Sequence, residues 1–232
     1  MMLSQYLRDF THLTFPFNCY GCSRALEEGD RPICRDCIEH FPRTFYWQQD
    51  DNEVEKIFWA RIPVEGACSY MFFNKDGIAQ ALMHQLKYNN KPIVGEWLGR
   101  LFGEEIKDSV FDNVDILVPV PLHRKKEKSR GYNQSNYIVK GMSESMNKRY
   151  STNAIERIRA NESQTKKGRF ERWINVRELF RVSQPEVIQN KHVLLVDDVV
   201  TTGATLEACA DAVLQVRGTK VSIATIACPT PF

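Results

Sequence analysis

The 232-residue sequence has no long apolar run, no excess of charge of either sign, and neither of the two common glycine-rich phosphate-binding motifs. A helix that crosses a membrane needs ~20 consecutive apolar residues, so we expect a protein that does not span one. Arg8, Asp9 and His12 interrupt residues 1–17, which removes the apolar segment that a signal peptide requires. Together these absences predict a cytoplasmic protein.

Charge and glycine spacing exclude further classes. Basic side chains number 31 and acidic ones 29, a formal net charge of +2, so bulk charge favours neither a nucleic acid nor an acidic substrate as partner. No G-x-x-x-x-G-K-[ST] motif is present. Gly95, Gly99 and Gly103 are spaced by four residues in a segment of helical periodicity, which is not the G-x-G-x-x-G pattern of a dinucleotide-binding loop. Any binding surface for anions must therefore come from other local clusters.

Four of the seven cysteines form two C-x₂-C pairs, Cys19 with Cys22 and Cys34 with Cys37. Two thiolates on each tight turn reach one ion, and four complete a tetrahedral Zn²⁺ site. Structural zinc would also supply folding free energy that residues 1–45 are too short to obtain from a core. The competing chemistry is thiol–disulfide exchange, which needs one C-x-x-C pair on an α/β scaffold, and we favour zinc. Three further cysteines have apolar neighbours and are expected to be buried thiols: Cys68, Cys209 and Cys228.

From residue 62 onwards, short apolar runs alternate with segments of helical periodicity. This alternation predicts an α/β fold with a mainly parallel sheet flanked by helices. We expect strands at residues 116–120, 154–158, 193–196 and 221–227, and a strand or hairpin arm at 64–73. Helices are expected at residues 77–88, 95–107, 135–146 and 204–216, with a short amphipathic helix near the N-terminus. The polar, acidic residues 48–56 are expected to form a linker or an exposed turn.

Residues 193–205, VLLVDDVVTTGAT, combine a buried strand with a polar turn. The apolar run ends at Asp197 and Asp198, whose carboxylates can accept hydrogen bonds from vicinal hydroxyls and hold Mg²⁺ directly or through water. The turn that opens the next helix consists of Thr201, Thr202, Gly203, Ala204 and Thr205. Orphan N–H groups and hydroxyls at a helix N-terminus bind phosphate, and a glycine permits close backbone approach. A diol beside a phosphate describes ribose 5-phosphate, whereas the alternative of simple helix capping needs only one such residue.

Residues 116–134, ILVPVPLHRKKEKSRGYNQ, form a second strand that runs into a basic loop. At the carboxyl edge of the same sheet, arginine would bind phosphate oxygens in a bidentate manner and lysine as a point charge. We expect pyrophosphate to contact Pro121, Leu122, His123 and Arg124. Further contacts to phosphate or DNA are expected from Lys87, Lys125, Lys126, Lys128 and Arg130, and from a second basic stretch with Lys166, Lys167 and Arg169. The alternative is a solvated basic loop, which is the usual role of a charge run.

Residues 193–205 resemble the phosphoribosyl pyrophosphate loop of type I phosphoribosyltransferases, and the whole sequence resembles the ComF family. Four features carry the second resemblance: the two cysteine pairs, Leu86-Lys87-Tyr88 after a helix, V-P-V-P-L-H-R with R-G-Y-N-Q, and D-D-V-V-T-T-G-A-T. Residues 164–180 also look like the family's segment between the two loops. The resemblance implies a type I phosphoribosyltransferase-like domain at 62–232, a linker at 46–61, and an N-terminal helix with a Cys₄ zinc-binding, ribbon-like mini-domain at 1–45.

The same resemblance implies a ligand and partners. It implies that Asp197 and Asp198 hold the ribose hydroxyls with Mg²⁺, that residues 201–205 hold the 5-phosphate, and that the ligand is phosphoribosyl pyrophosphate. ComF proteins are linked to competence and DNA utilisation, which implies single-stranded DNA and competence or DNA-processing proteins as partners. The alternative is an active phosphoribosyltransferase that transfers the 5-phosphoribosyl group to a base or amine and releases pyrophosphate. No catalytic residue and no acceptor pocket can be assigned from the sequence.

Other ring-bearing residues are expected to have structural roles. His84 and His192 each lie alone beside apolar residues. Tyr88 and Tyr132 lie near basic residues, and aromatic rings interleaved with basic residues can stack on single-stranded bases. Core packing is nevertheless the expected use of both tyrosines.

Overall fold

The computed structural model describes residues 17–26, 31–158 and 179–231. At its centre is a five-stranded sheet of order β1-β7-β6-β2-β3, in which every pairing is parallel. Its strands are β1 (Gly66–Phe73), β2 (Ile116–Pro119), β3 (Arg149–Tyr150), β6 (His192–Val199) and β7 (Lys220–Pro229). A separate antiparallel pair consists of β4 (Ile155–Arg157) and β5 (Phe180–Val182). The mainly parallel sheet predicted from the alternation of strands and helices is confirmed.

The central strands are buried on both faces. All four residues of β2 are buried, and so are eight consecutive residues of β7. A parallel strand covered by helices on both faces has a continuous apolar run rather than an alternating pattern. For this reason the strands expected at residues 116–120, 193–196 and 221–227 are found at β2, β6 and β7. The strand expected at residues 154–158 is β4.

Eight α-helices lie within the described ranges: α1 (Arg35–Glu39), α2 (Glu53–Lys56), α3 (Ile78–Tyr88), α4 (Pro92–Ile106), α5 (Arg124–Arg130), α6 (Gln134–Met146), α7 (Pro185–Ile188) and α8 (Ala204–Leu214). Two 3₁₀ turns span Tyr46–Gln48 and Val110–Asn113. Pro92 is the first residue of α4, a position whose N–H has no partner within the helix, so the lack of an N–H in proline costs no hydrogen bond. The Asn133 side chain caps α6 by accepting from the N–H of Ser135. No helix in this part of the chain is both long and apolar enough to cross a membrane.

The four-residue glycine spacing in α4 serves a close contact with α6. A Cβ atom at Gly99 would lie 2.0 Å from the carbonyl oxygen of Ile138. Across the same interface, a Cβ atom at Gly141 would lie 2.0 Å from the carbonyl oxygen of Glu96. Backbone therefore meets backbone at both positions, and neither glycine can accept a side chain without separating the helices.

The segment at residues 64–73, expected as a strand or a hairpin arm, is the strand β1, which pairs in parallel with β7 at the edge of the sheet. Two expectations need correction. Residues 48–56 are exposed at 48–51, but Asn52 and Val54 are buried, and the Asn52 amide donates to the carbonyl oxygen of Ala67 at 2.9 Å. This segment is thus attached to β1 rather than being a free linker. Tyr88 is 67% exposed and does not pack in the core, whereas Tyr132 is buried as expected.

Some predictions concern residues outside the described ranges. The helix expected near the N-terminus falls within residues 1–16. The second basic stretch, with Lys166, Lys167 and Arg169, falls within residues 159–178. The division of the chain at residues 45 and 62 stays a prediction.

Candidate functional site

Asp197 and Asp198 lie at the carboxyl end of β6, next to the end of β2. Oδ1 of Asp197 accepts a hydrogen bond from the Ser135 hydroxyl at 2.9 Å and one from the Asp198 N–H at 2.8 Å. Burial raises the pKa of Asp197 to about 7, and the negative charge of Asp198 adds to that effect, while both hydrogen bonds and the charge of Lys87 oppose it. The pair thus concentrates negative charge at the sheet edge where open α/β sheets bind ligands.

Lys87, the penultimate residue of α3, supplies a positive charge to this pair. Its Nζ atom lies 3.0 Å from Oδ2 of Asp198, and the two side chains are only 19% and 15% exposed. The sequence prediction placed Lys87 among contacts to phosphate or DNA. In the structure it is the ion-pair partner of Asp198, one of the two predicted ribose-binding acids, and its contact to phosphate or DNA stays a prediction.

The turn at residues 201–205 connects β6 to α8. Gly203 has a φ of +74°, and a Cβ atom there would lie 2.5 Å from Cγ2 of Ile57, so only glycine fits. Thr201 and Thr202 are exposed, and α8 begins directly after the glycine. Arg61 holds the turn by donating to the carbonyl oxygen of Thr202 at 3.0 Å. The same arginine pairs with Glu207 of α8 at 2.5 Å. The turn therefore places two exposed threonines at the N-terminus of an 11-residue helix, where backbone N–H groups have no partner within the helix.

The predicted pyrophosphate loop follows β2 beside this turn. The N–H of Val120 donates to the carbonyl oxygen of Val196 at 2.9 Å. The Asn133 side chain donates to the carbonyl oxygen of Val120 at 3.0 Å, which fixes the end of the strand. Pro121 and Leu122 come next, and they are partly buried. The structure therefore brings the loop at residues 121–124 and the acidic pair to neighbouring strand ends, as the sequence predicted.

A basic helix, α5, extends from this loop. His123 caps it, because its Nδ1 accepts from the N–H of Lys125 at 3.2 Å. The exposed basic residues of the helix make no ion pair among the described residues: Arg124, Lys125, Lys126 and Lys128. Arg130 differs, since it donates to Oε1 of Gln134 at 2.9 Å and lies 5.7 Å above the ring of Tyr88. The helix therefore presents exposed positive charge next to the candidate site.

Three site residues were missed in the sequence: Ser135, Arg61 and Arg157. Ser135 could have been found from its place in the first turn of the helix after the basic loop, but no local signal distinguishes the two arginines. The guanidinium of Arg157 stacks over the ring of Phe180 at 5.3 Å, and its buried Nε has no hydrogen-bond partner within the described ranges. Burial lowers the pKa of Arg157, and the charge of Asp197 opposes that shift. A second cation therefore lies within electrostatic reach of the acidic pair.

The four N-terminal cysteines form one cluster. The sulfur atoms of Cys19, Cys22, Cys34 and Cys37 all lie within 4.8 Å of one another. The distance is 3.8 Å between Cys19 and Cys37 and 3.7 Å between Cys22 and Cys34. A tetrahedral zinc ion with Zn–S bonds of ~2.3 Å separates its ligands by about 3.8 Å. The donor set and its spacing therefore fit a structural zinc ion.

Backbone donors prepare one thiol of the cluster for ionisation. Burial opposes ionisation of Cys19, but N–H groups from Cys34, Cys22 and Gly21 outweigh it and lower its pKa to about 7. The N–H of Cys34 lies 3.2 Å from the Cys19 sulfur. Burial and the neighbouring thiols raise the pKa of Cys37. Away from the cluster, three thiols are buried as predicted: Cys68, Cys209 and Cys228.

Comparison with known proteins identifies the fold and relatives. The family model described as the phosphoribosyl transferase domain matches residues 127–229, which begin within the basic helix α5 and include the acidic pair and the turn at residues 201–205. DNA utilization protein YhgH of Escherichia coli O6:H1 (strain CFT073) is 30% identical over 146 residues, covering 61% of this chain and 63% of that protein. The chain thus matches less than two thirds of the length of that relative.

Two further relatives match over most of their length. Competence protein F of Haemophilus influenzae is 25% identical over 210 residues, covering 83% of this chain and 88% of that protein. Competence protein ComFC of Bacillus subtilis (strain 168) is 31% identical over 207 residues, covering 88% of this chain and 80% of that protein. With this match, a type I phosphoribosyltransferase fold and a four-cysteine cluster at the N-terminal end, the chain belongs to the ComF family.

Proposed function

We propose that the chain binds phosphoribosyl pyrophosphate at the carboxyl edge of its sheet, between the ends of β6 and β2. Asp197 and Asp198 accept hydrogen bonds from the two ribose hydroxyls. The observation that carries the proposal is the position of this pair between the exposed threonine turn and the loop at residues 121–124. A diol acceptor between two anion-binding loops matches the order of groups in that ligand.

The 5-phosphate binds at the turn before α8. Hydroxyls of Thr201, Thr202 and Thr205 and the N–H groups of residues 201–205 surround it, and Gly203 lets the backbone approach closely. Arg61 keeps the turn in place through the carbonyl oxygen of Thr202. The pyrophosphate binds at Pro121, Leu122, His123 and Arg124, where Arg124 is free to form a bidentate contact.

Mg²⁺ is the cation we propose to accompany the ligand. Among the contacts of the described residues, Oδ2 of Asp197 accepts no hydrogen bond, so a carboxylate oxygen of the type that Mg²⁺ prefers is free. When bound, Mg²⁺ neutralises charge on the pyrophosphate group. The chain's own residues orient the ribose and bind the 5-phosphate and the pyrophosphate at separate loops.

The four-cysteine cluster binds structural zinc. Four sulfur ligands leave no open coordination position, so the ion stabilises the N-terminal segment and takes no part in chemistry. Measurement of the metal content by plasma mass spectrometry should give one zinc ion per chain, and Cys22→Ser should lower it, while Cys209→Ala should not. An equal zinc content in the Cys22→Ser protein would argue against the site.

The biological role we propose is the handling of single-stranded DNA in the cytoplasm during competence or DNA utilisation. Names of relatives support it: DNA utilization protein and competence protein. The exposed cations of α5 supply the charge that a polyanion requires. Competence or DNA-processing proteins are the partners expected for such a role.

Calorimetry with parts of the ligand tests the binding proposal. Phosphoribosyl pyrophosphate with Mg²⁺ should bind most tightly, ribose 5-phosphate more weakly, and ribose without phosphate not measurably. This order follows because each phosphate adds contacts at its own loop. Equal affinity for ribose and for phosphoribosyl pyrophosphate would exclude the assignment of the two loops.

A second candidate function is catalytic transfer of the 5-phosphoribosyl group to a base or amine. The match to the phosphoribosyl transferase domain favours it. The bond from the anomeric carbon to pyrophosphate would break as the acceptor nitrogen forms its own bond, through an oxocarbenium-like state. Rate would come from positioning and from neutralising the leaving group. Release of pyrophosphate with some member of a panel of nucleobases and amines would support catalysis, and no release with any would count against it.

A further inference from the structure

The ion pair of Lys87 and Asp198 lies where the proposed ribose site needs a negatively charged oxygen. Nζ of Lys87 is 3.0 Å from Oδ2 of Asp198, and both side chains are largely buried. Ion pairs in such a position are screened little by water, and loss of one partner leaves an uncompensated charge. The contact is therefore different in kind from an exposed surface pair, which contributes little.

The structure fixes the position of Lys87 through its two neighbours in sequence. The hydroxyl of Tyr132 donates to the carbonyl oxygen of Leu86, which attaches the end of α3 to the segment between α5 and α6. Tyr88, on the other side, lies under the guanidinium of Arg130. The ammonium is thus presented to Asp198 by a helix end held on both sides, and not by a free surface side chain.

Charge balance gives this ammonium a role in the site. Two adjacent carboxylates repel each other, and they also repel the phosphate groups of the proposed ligand. Lys87 places one positive charge directly against Asp198, and Arg157 adds a second within reach of Asp197. Lys87 thus supplies, from within the chain, a positive charge at Asp198 that a bound metal ion would otherwise have to provide.

We propose that Lys87 is a positioning residue of the phosphoribosyl site. Its ammonium orients the carboxylate of Asp198 and neutralises its negative charge. The acidic pair therefore accepts the ribose hydroxyls without a divalent cation bound to Asp198. The inference rests on the proposed function, since it assigns a role within that site. The inference assigns a separate role to each cation: Lys87 orients the carboxylate that binds the ribose, and Mg²⁺ neutralises charge on the pyrophosphate.

Calorimetry with ribose 5-phosphate measures the first consequence. The buffer is freed of divalent cations over chelating resin before protein is added, so that the zinc site is not stripped. Wild type should bind, Lys87→Met should bind on the order of tenfold more weakly because the pair becomes uncompensated, and Lys87→Arg should retain most of the affinity. Added Mg²⁺ should restore binding in Lys87→Met more than in wild type. Lys75→Met, at an exposed position before α3, is the matched control and should behave as wild type.

Titration with Mn²⁺ alone, followed by electron paramagnetic resonance, measures the second consequence without any sugar phosphate. Lys87→Met should bind Mn²⁺ on the order of tenfold more tightly than wild type, because Asp198 then lacks its counter-charge. Circular dichroism checks folding, and Lys87→Gln replaces Lys87→Met, with the same expectations, if the latter unfolds.

The two measurements separate the two claims. If wild type fails to bind ribose 5-phosphate but Mn²⁺ affinity rises in Lys87→Met, the proposed ligand is wrong and the counter-cation role stands. If wild type binds the sugar phosphate and Lys87→Met binds it equally well without metal, the role of Lys87 is wrong. Unchanged Mn²⁺ affinity in Lys87→Met would overturn it as well.

Discussion

Ser135 and Asp197 are joined by a hydrogen bond of 2.9 Å from the hydroxyl of the serine to Oδ1 of the aspartate. The bond connects the first turn of α6, which follows the basic loop, to the acidic pair at the end of β6. Since Oδ1 also accepts the N–H of Asp198, the carboxylate is fixed in orientation and Oδ2 is left for a ligand. The two loops of the proposed site are therefore held together through one hydroxyl group.

Replacement of this serine should weaken ligand binding. Ser135→Ala removes a hydrogen bond to a carboxylate and frees Asp197 to rotate, so we expect affinity for phosphoribosyl pyrophosphate to fall on the order of tenfold. Calorimetry measures the change. Ser143→Ala, on the same helix, loses a bond to the carbonyl oxygen of Lys148 and should leave the affinity unchanged. Equal affinity in both variants would show that Ser135 does not orient the site.

Asp197 should lower the stability of the fold at neutral pH. Burial raises its pKa in the folded chain to about 7 from the ordinary value of 3.8, so between these pH values the folded chain retains a proton that the unfolded chain has lost. The contribution of the protonated Asp197 carboxyl to the free energy of unfolding is thus fully present below pH 3.8 and is lost as the pH rises through 7. Asp197→Asn should therefore be more stable than wild type, by a margin that grows between about pH 4 and 7 and then levels off.

Urea unfolding of both proteins across this range, without added divalent cation, measures the margin. Asp198, Lys87 and Arg157 are the charged groups that act on Asp197, and they are the same in both proteins. Asp112→Asn, at an exposed carboxylate, is the control. A margin that stays constant with pH would contradict the raised pKa.

Local sequence signals predicted the elements but not the contacts between them. The buried runs of β2 and β6 were found because a strand covered on both faces needs continuous apolar residues, and the acidic pair was found because it directly follows such a run. The pairing of β1 with β7 could not be predicted, because parallel partners are set by long-range packing. For the same reason, nothing local indicated that Lys87, at the end of α3, forms an ion pair with Asp198.

The contact between α4 and α6 gives a stability prediction. Gly99→Ala would place Cβ against the carbonyl oxygen of Ile138, and backbone cannot move aside as a side chain can. We expect a loss of about 3 kcal/mol in the free energy of unfolding, seen as a lower urea midpoint. Gly66→Ala in β1 is the control, because the nearest atom to its Cβ is 3.7 Å away, and it should change stability little. Similar midpoints for the two variants would contradict the packing described.

The basic helix gives a prediction about nucleic acid. Single-stranded DNA should bind with an affinity that falls as the salt concentration rises. The triple change of Lys125, Lys126 and Lys128 to alanine should weaken binding. It should also reduce the slope of log affinity against log salt concentration by about 0.7 per lost phosphate contact. Fluorescence anisotropy with a labelled oligonucleotide measures both. The matched triple change of Lys56, Lys75 and Lys107, which lie elsewhere and are exposed or partly exposed, should leave both close to wild type. No binding by wild type at low ionic strength would exclude a direct role with DNA.

The central claim is that the acidic pair binds the ribose of phosphoribosyl pyrophosphate, and calorimetry with that ligand and Mg²⁺ tests it most directly. Asp197→Ala/Asp198→Ala should lose at least about a hundredfold in affinity, since two charged hydrogen-bond acceptors are removed. Asp50→Ala/Asp51→Ala removes another adjacent acidic pair, one that is exposed on the surface, and should bind as wild type does. Equal affinity in the first double variant and in wild type would contradict the account.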